Sequence, residues 1–527
     1  MIKAIMQNTS IKPSYIIALL CSITTIGRFV MDNYLPSLPA ISQAFNAPVS
    51  DVQLTITLYI FGFGLSQLIY GPLSDRYGRK IILIGGLILF LIANTLCAFT
   101  KSLDTLLVAR LLSGIGMGVC GVLNRAIACD CFSGAAFSKA WSYTTTTLVV
   151  VLIFAPIIGS GVQELFGWQA NFNIATLFVS IVLFIILWKL PETNQTQLSS
   201  ISMKSIFTNY KNLLLSRSFV LSTLCYTFAF SGLIAYFQVS PFLLMNELHL
   251  TPLQYGFSSL AIASGYLVGG FIVRKLARVL GIKLLLLTGI VLVITSGICM
   301  ISLNYEEEVT LISVLLPTTL YVIGARIIIP NAMAGAFTGF HHLGGTASGL
   351  IGGIQMLGTA LISLLMINFS YKSPLPLAFL FTGIGLLSLG AFCFMYFYKN
   401  KFVYKHFIQL NVTAIQFYRT QQIRERITHY VNLIDKWLTK KYNADYKQRL
   451  QRMYNPLLKL AKIIYLICCR YHVDEIAIRY YLSVYEYIKK YSTILLVKLQ
   501  ATRLYNTCYS AIQFSIKISN KKSKTKL

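Results

Sequence analysis

Gly71-Pro72-Leu73-Ser74-Asp75-Arg76-Tyr77-Gly78-Arg79-Lys80 places four charged side chains within ten residues, between two long apolar stretches. Charges at this density cannot lie in hydrocarbon, so the segment marks a membrane edge where one helix arrives and the next departs. Gly71 and Gly78 are expected to allow close helix contact and a tight reversal. Asp75 and Arg79, four apart, fit a breakable electrostatic latch.

Working outward, the 527-residue chain is 56% hydrophobic and 12% charged. Twelve apolar windows follow one another near 15–36, 52–73, 81–99, 104–123, 142–162, 172–190, 219–239, 255–273, 284–303, 309–329, 347–369 and 377–398, each long enough to cross a bilayer core of about 30 Å. The expected fold class is therefore an all-α polytopic membrane protein. The first window lacks the cleavage-site pattern of a signal peptide and reads as a retained span. Most of the eleven cysteines fall in apolar spans or inner segments and read as reduced packing residues. Cys129 and Cys131 have no second ligand pair at metal spacing, so no metal is expected.

Lys and Arg concentrate on alternate connections, from Arg76, Arg79 and Lys80 through Arg125, Lys139, Lys189, Lys204 and Lys211 to Arg274 and Lys283. The other set of loops holds only Lys101 and Lys372 with several acids, so the basic side, with both termini, is expected to be cytoplasmic. The longest connection, which opens with Pro191-Glu192-Thr193-Asn194, divides six spans from six. The chain therefore reads as an N-terminal half (1–190), a linker (191–218), a C-terminal half (219–400) and a tail (401–527). Gly78-Arg79-Lys80 and Gly281-Ile282-Lys283 echo one another 203 residues apart, which supports two halves.

The tail differs in kind. It holds 24 Lys and Arg against 6 Asp and Glu, a net of +18 that leaves +10 for residues 1–400, while all 35 glycines precede it. Its apolar clusters read as basic amphipathic helices, which could lie on anionic lipid of the inner leaflet, pack as a small domain or bind a protein partner. No nucleic-acid recognition module is visible.

Gly-x-Leu-x-Asp-Arg-x-Gly-Arg-Lys closely resembles the loop between the second and third helices of the major facilitator superfamily. Further stretches resemble its Bcr/CflA-like drug:proton antiporter branch: Met31-Asp32-Asn33-Tyr34-Leu35-Pro36, Arg110, Arg125-Ala126-Ile127-Ala128-Cys129-Asp130, Ala155-Pro156-Ile157-Ile158-Gly159, Ala235-Tyr236 and Gly345-Thr346-Ala347-Ser348-Gly349 with Gln355. The resemblance covers about residues 15–398. It implies proton-coupled efflux of a small organic compound across the bacterial inner membrane by alternating access. It also implies that Asp75, Arg79 and Asp130 gate the inner side, and that Pro156 and Gly159 belong to a fifth-helix antiporter motif, in which Val151, Ala155 and Ser160 stand where the family has glycine. A metabolite or siderophore carrier, even an importer, and a non-transporting scaffold or sensor that works through the tail are the alternatives.

Three strongly ionisable residues are placed well within the spans: Arg28, Asp32 and Arg110. Ions in lipid default to function. Asp32 is the candidate proton carrier, at which proton and substrate would compete. Arg28 shares its helix face and favours the ionised acid, which makes a zwitterionic or anionic substrate plausible. Arg110 is assigned to coupling or to neutralising Asp32, and Tyr236 and Gln355 to cavity hydrogen bonds or helix packing. His341-His342 reads as a solvated pair. No catalytic triad or phosphate-cradling loop is present, so the chain is expected to be no enzyme, to need no cofactor and to draw on the proton gradient.

Overall fold

A computed structural model describes residues 13–132, 134–194, 203–305, 309–337 and 344–397; the tail 401–527, His341-His342 and Glu306 to Glu308 lie outside them. Among the described residues twelve helices are long and apolar enough to span a membrane. They are α1 (Pro13–Asp32), α2 (Val49–Tyr77), α3 (Arg79–Phe99), α4 (Leu103–Cys131), α5 (Gly134–Phe166) and α6 (Trp168–Lys189), then α7 (Arg217–Phe242), α8 (Pro252–Ala277), α9 (Val279–Asn304), α10 (Leu311–Phe337), α11 (Gly344–Met366) and α12 (Leu375–Phe397). Each expected window coincides with one helix. The expected all-α, twelve-span architecture of two six-helix halves is the one observed.

The quoted segment is helical almost throughout. α2 runs on to Tyr77 and α3 begins at Arg79, so the reversal is Gly78 alone, at φ 99° and ψ 152°. That is left-handed backbone open to glycine and costly to a residue with a Cβ. Gly281 repeats the device at φ 67°, at the kink in the first turn of α9 where the chain turns out of α8. Gly71 does not make the expected close helix contact: a Cβ there would meet only Val122, at an ordinary 3.8 Å.

Small residues set the packing inside each half, because in lipid helices associate by close van der Waals approach rather than by expelling water. A Cβ on Gly86 of α3 would lie 2.9 Å from the Gly116 carbonyl of α4, and one on Gly289 of α9 the same 2.9 Å from the Gly324 carbonyl of α10. Gly86 and Gly289 stand 203 residues apart, as Gly78 and Gly281 do. Helix pairing repeats likewise: α1 packs on α5 and α2 on α4 in the first half, while α7 packs on α11 and α8 on α10 in the second. The halves meet along α2 with α11 and along α5 with α8. Hydrogen bonds cross that boundary at the end away from Gly78. Gln53 donates to the Gln238 carbonyl (3.2 Å), Thr57 and Ser363 share one (2.7 Å), and Ser259 donates to the Ile153 carbonyl (3.3 Å).

The linker contributes a helix, Met203–Leu215. Its Tyr210 hydroxyl donates to the Leu68 carbonyl of α2 at 3.2 Å. Burial and the neighbouring Asp75 carboxylate push that phenol above its usual pKa, so it stays a neutral donor.

Gly116→Ala is expected to lower the melting temperature of the purified protein, at about 1–3 kcal/mol for a Cβ driven into α3. Gly85→Ala, whose Cβ would meet nothing within 4 Å, should leave it unchanged. Thermal unfolding of the two variants side by side checks the packing.

Candidate functional site

Asp32 sits at the last residue of α1, fully buried, just before the chain tightens into a 3-10 turn, Leu35–Ser37. A carboxylate in a last helical turn faces unpaired carbonyls and needs a nearby cation. Arg28, one turn back, supplies it: Nε donates to Oδ2 at 2.6 Å. Asp32 Oδ1 and Arg28 Nη2 are buried without a hydrogen-bond partner. The guanidinium of Arg28 also lies 5.4 Å from the ring centroid of Phe237 on α7, so the pair reaches into the second half.

Arg110 does not neutralise Asp32, since no ion pair joins them. It is 1% exposed and lies between Tyr34 and Tyr59, each ring centroid 4.3 Å from its Cζ, with Phe172 at 5.9 Å. Desolvated cation–π contacts are worth about 2 kcal/mol each. They hold the charge without cancelling it, and Arg110 Nε and Nη1 remain unpartnered. The Tyr59 hydroxyl is itself buried without a hydrogen-bond partner.

At the Gly78 end Arg79 holds two acids at once: Asp75 Oδ1 lies 2.6 Å from Nη1 and Asp130 Oδ2 lies 3.0 Å from Nε. Nη1 also donates to Ser74 Oγ at 2.6 Å, and Thr193 donates to Asp130 Oδ2 at 3.3 Å. The segment after α6 closes over this cluster. Glu192 accepts the backbone N–H groups of Arg79 (2.8 Å) and Lys80 (3.1 Å), capping α3 with a carboxylate where the helix dipole favours one. Asn194 donates to the Asp75 carbonyl at 2.9 Å. Lys80 Nζ donates to the Leu187 carbonyl at 2.9 Å, and Arg76 lies 5.0 Å from the Tyr77 ring centroid.

The remaining predicted residues separate. Gly159, one turn beyond Pro156 in α5, lies against the Asn33 backbone, which a Cβ would overlap, and its carbonyl accepts from Asn171 at 3.0 Å. Helix 5 is thereby pressed onto the residue next to Asp32. Tyr236 is buried beside Ser240 and Ser258, in a helix interface. Gln355 of α11 is also buried and meets the Tyr226 hydroxyl of α7.

The list of three intramembrane ions is too short. Arg326 stands in the middle of α10, 4.7 Å from the Tyr266 ring centroid, and Arg125 lies in α4, 5.6 Å from that of Trp141. An arginine in Ile323-Gly324-Ala325-Arg326-Ile327-Ile328 was visible as an ion in an apolar run; placing the window's end at 329 made it look terminal. Glu192 carried no such signal, because its target is backbone N–H. Glu192→Ala is expected to lower the melting temperature by the loss of one cap, about 1 kcal/mol, with Glu192→Gln in between. Thermal unfolding measures it.

The model of the Major Facilitator Superfamily matches residues 20–363. Multidrug resistance protein D of Escherichia coli is 26% identical over 373 residues, covering 71% of this chain and 93% of its own length. A chloramphenicol resistance protein of Pseudomonas aeruginosa is 28% identical over 387 residues, covering 72% and 90%. The crystal structure of the human organic anion transporter MFSD10 superposes with a TM-score of 0.55 at 18% identity, covering 72% of this chain and all of that one, a likeness of fold. With two-thirds of its length in the family's pattern and its twelve membrane helices in the family's arrangement, the chain belongs to the major facilitator superfamily: it is a multi-pass membrane transport protein and not an enzyme.

Proposed function

We propose that the protein exports a small organic compound in exchange for protons, by alternating access between its two halves. Relatives named for multidrug and chloramphenicol resistance support the cargo class and direction. The observation that carries the coupling is Asp32. It is the one carboxylate buried deep among the described spans, with one oxygen held by Arg28 and the other unpartnered. Protonation at Oδ1 removes the charge that holds Arg28. The guanidinium then faces a neutral carboxyl on its own half and the ring of Phe237 on the other. Ionisation of Asp32 is in this way tied to how α1 and α7 sit against each other, which is the coordinate that alternating access changes.

Arg110, fixed in its aromatic box, adds a second buried positive charge to the same half. The Asp75–Arg79–Asp130 cluster acts as the gate at the Gly78 end, exchanging contacts as that end opens and closes. The distribution of Lys and Arg supports a cytoplasmic Gly78 end and cytoplasmic termini, and the bacterial relatives support an inner-membrane location. Residues 401–527 would then face anionic lipid or a protein partner on that side.

Asp32→Asn, reconstituted in proteoliposomes, is expected to abolish substrate movement driven by an imposed pH gradient. Exchange of substrate for substrate should persist, because the fold and cavity remain. Flux of unchanged size and pH response would remove Asp32 as the coupling residue. Accumulation rather than export under an inward proton gradient would make the protein an importer.

A further inference from the structure

Pro72 lies inside α2 and carries no N–H, so the carbonyl four residues back, that of Leu68, loses its helical donor. A membrane helix tolerates a proline where a neighbour satisfies the freed group. Here the neighbour is the linker helix Met203–Leu215, whose Tyr210 hydroxyl donates to the Leu68 carbonyl at 3.2 Å. Pro317 of α10 shows the same chemistry within one half: Asn304 Nδ2 donates to the freed Ser313 carbonyl at 3.2 Å.

The Tyr210 bond differs in what it joins. Leu213, one turn further along the same face of the linker helix, is fully buried with Phe219 of α7, Ala336 of α10 and Leu350 and Ile351 of α11. Tyr210 packs against that cluster too, so the linker helix is seated on the second half. Leu68 belongs to the first half. Its side chain lies on Gly353 of α11, where a Cβ would overlap it. Leu68 stands ten residues before Gly78, about 15 Å along α2 from that end.

A leucine resting on a glycine has no preferred direction and can roll as the halves rock. A hydrogen bond has a fixed geometry and must part. We propose that Tyr210 positions the gate: its hydroxyl clasps the first half to the second through the carbonyl that Pro72 frees, and lets go each time the Gly78 end opens. Water entering the opened end then replaces the hydroxyl, so the carbonyl is satisfied in both states and the clasp is cheap to undo. With a residue other than proline at 72, the carbonyl would bond within α2 and the clasp would have nothing to hold.

The clasp has its role only under alternating access, but its conformational effect is measured without flux. Full-length protein in nanodiscs is compared by amide hydrogen exchange as wild type, Y210F, P72A and P72A/Y210F. Y210F keeps the ring and its packing. It is expected to raise the ratio of molecules open at the Gly78 end about fivefold, the size of one neutral hydrogen bond. Exchange should then rise at residues 65–77 and 344–351 as well as 203–215, and fall at the opposite end, residues 52–57 and 359–366. In P72A the Leu68 carbonyl regains a helical N–H, so adding Y210F should change nothing further; P72S serves if P72A fails to fold. Faster exchange confined to residues 203–215 would make the contact local docking and overturn the clasp. A Y210F effect of equal size with and without Pro72 would overturn it as well. Exchange unmoved by Y210F with Asp32-dependent flux intact removes only the clasp, whereas the expected shift with flux insensitive to Asp32 removes only the coupling.

Discussion

Guanidinium groups stacked on aromatic rings are the constraint around which the membrane interior is organised. Arg28 lies on Phe237, Arg110 between Tyr34 and Tyr59, Arg125 by Trp141 and Arg326 by Tyr266, and one buried carboxylate, Asp32, stands among these four arginines. A carboxylate partner would remove an arginine's charge from the field of the cavity. A ring face stabilises the same cation and leaves the charge in place. The bundle thus keeps a net positive interior without exposing bare ions to lipid, at the cost of reserving aromatic positions on five different elements.

That arrangement divides labour by depth. Near the end away from Gly78, the buried carboxylate of Asp32 meets its arginine at a point where α1, α5, α6 and α7 are pinned together. Asn33 donates to the Asn171 carbonyl at 3.0 Å, Asn171 donates to Ser37 at 2.7 Å, and Gly159 lets α5 touch the Asn33 backbone. Any change in the ionisation of Asp32 is felt by a rigid corner rather than by a loose side chain. At the Gly78 end, Arg79 and Glu192 tie α2, α3, α4 and the segment after α6 into one block. Such a block moves as a unit, and the described ion pairs of Arg79 all stay inside the first half.

The twelve spans were legible because hydropathy over about twenty residues is a property of the sequence alone, and so was the reversal at Gly78, where charge and glycine coincide. Which ions pair was not. Arg28 and Asp32 were legible as partners because i and i+4 share a helix face. Arg110 looked equally suited to Asp32, and only the fold shows Tyr34 and Tyr59 closing on it from α2 and the turn after α1. Tyr236 and Gln355 looked alike as cavity polar groups, yet Tyr236 is shut in an interface while Gln355 meets Tyr226 across α7 and α11. Contacts between helices far apart in sequence depend on rotation about each helix axis, and a helix apolar on every side, such as α7 or α10, does not specify it.

Arg28 and Asp32 belong to the first half, and the ring that Arg28 faces, Phe237, belongs to the second. An acid placed there does not need to touch cargo in order to be coupled to it. If the ionisation of Asp32 biases how the two halves sit against each other, the arrangement of the halves must bias the ionisation of Asp32 by the same free energy, because linkage acts with equal size in both directions.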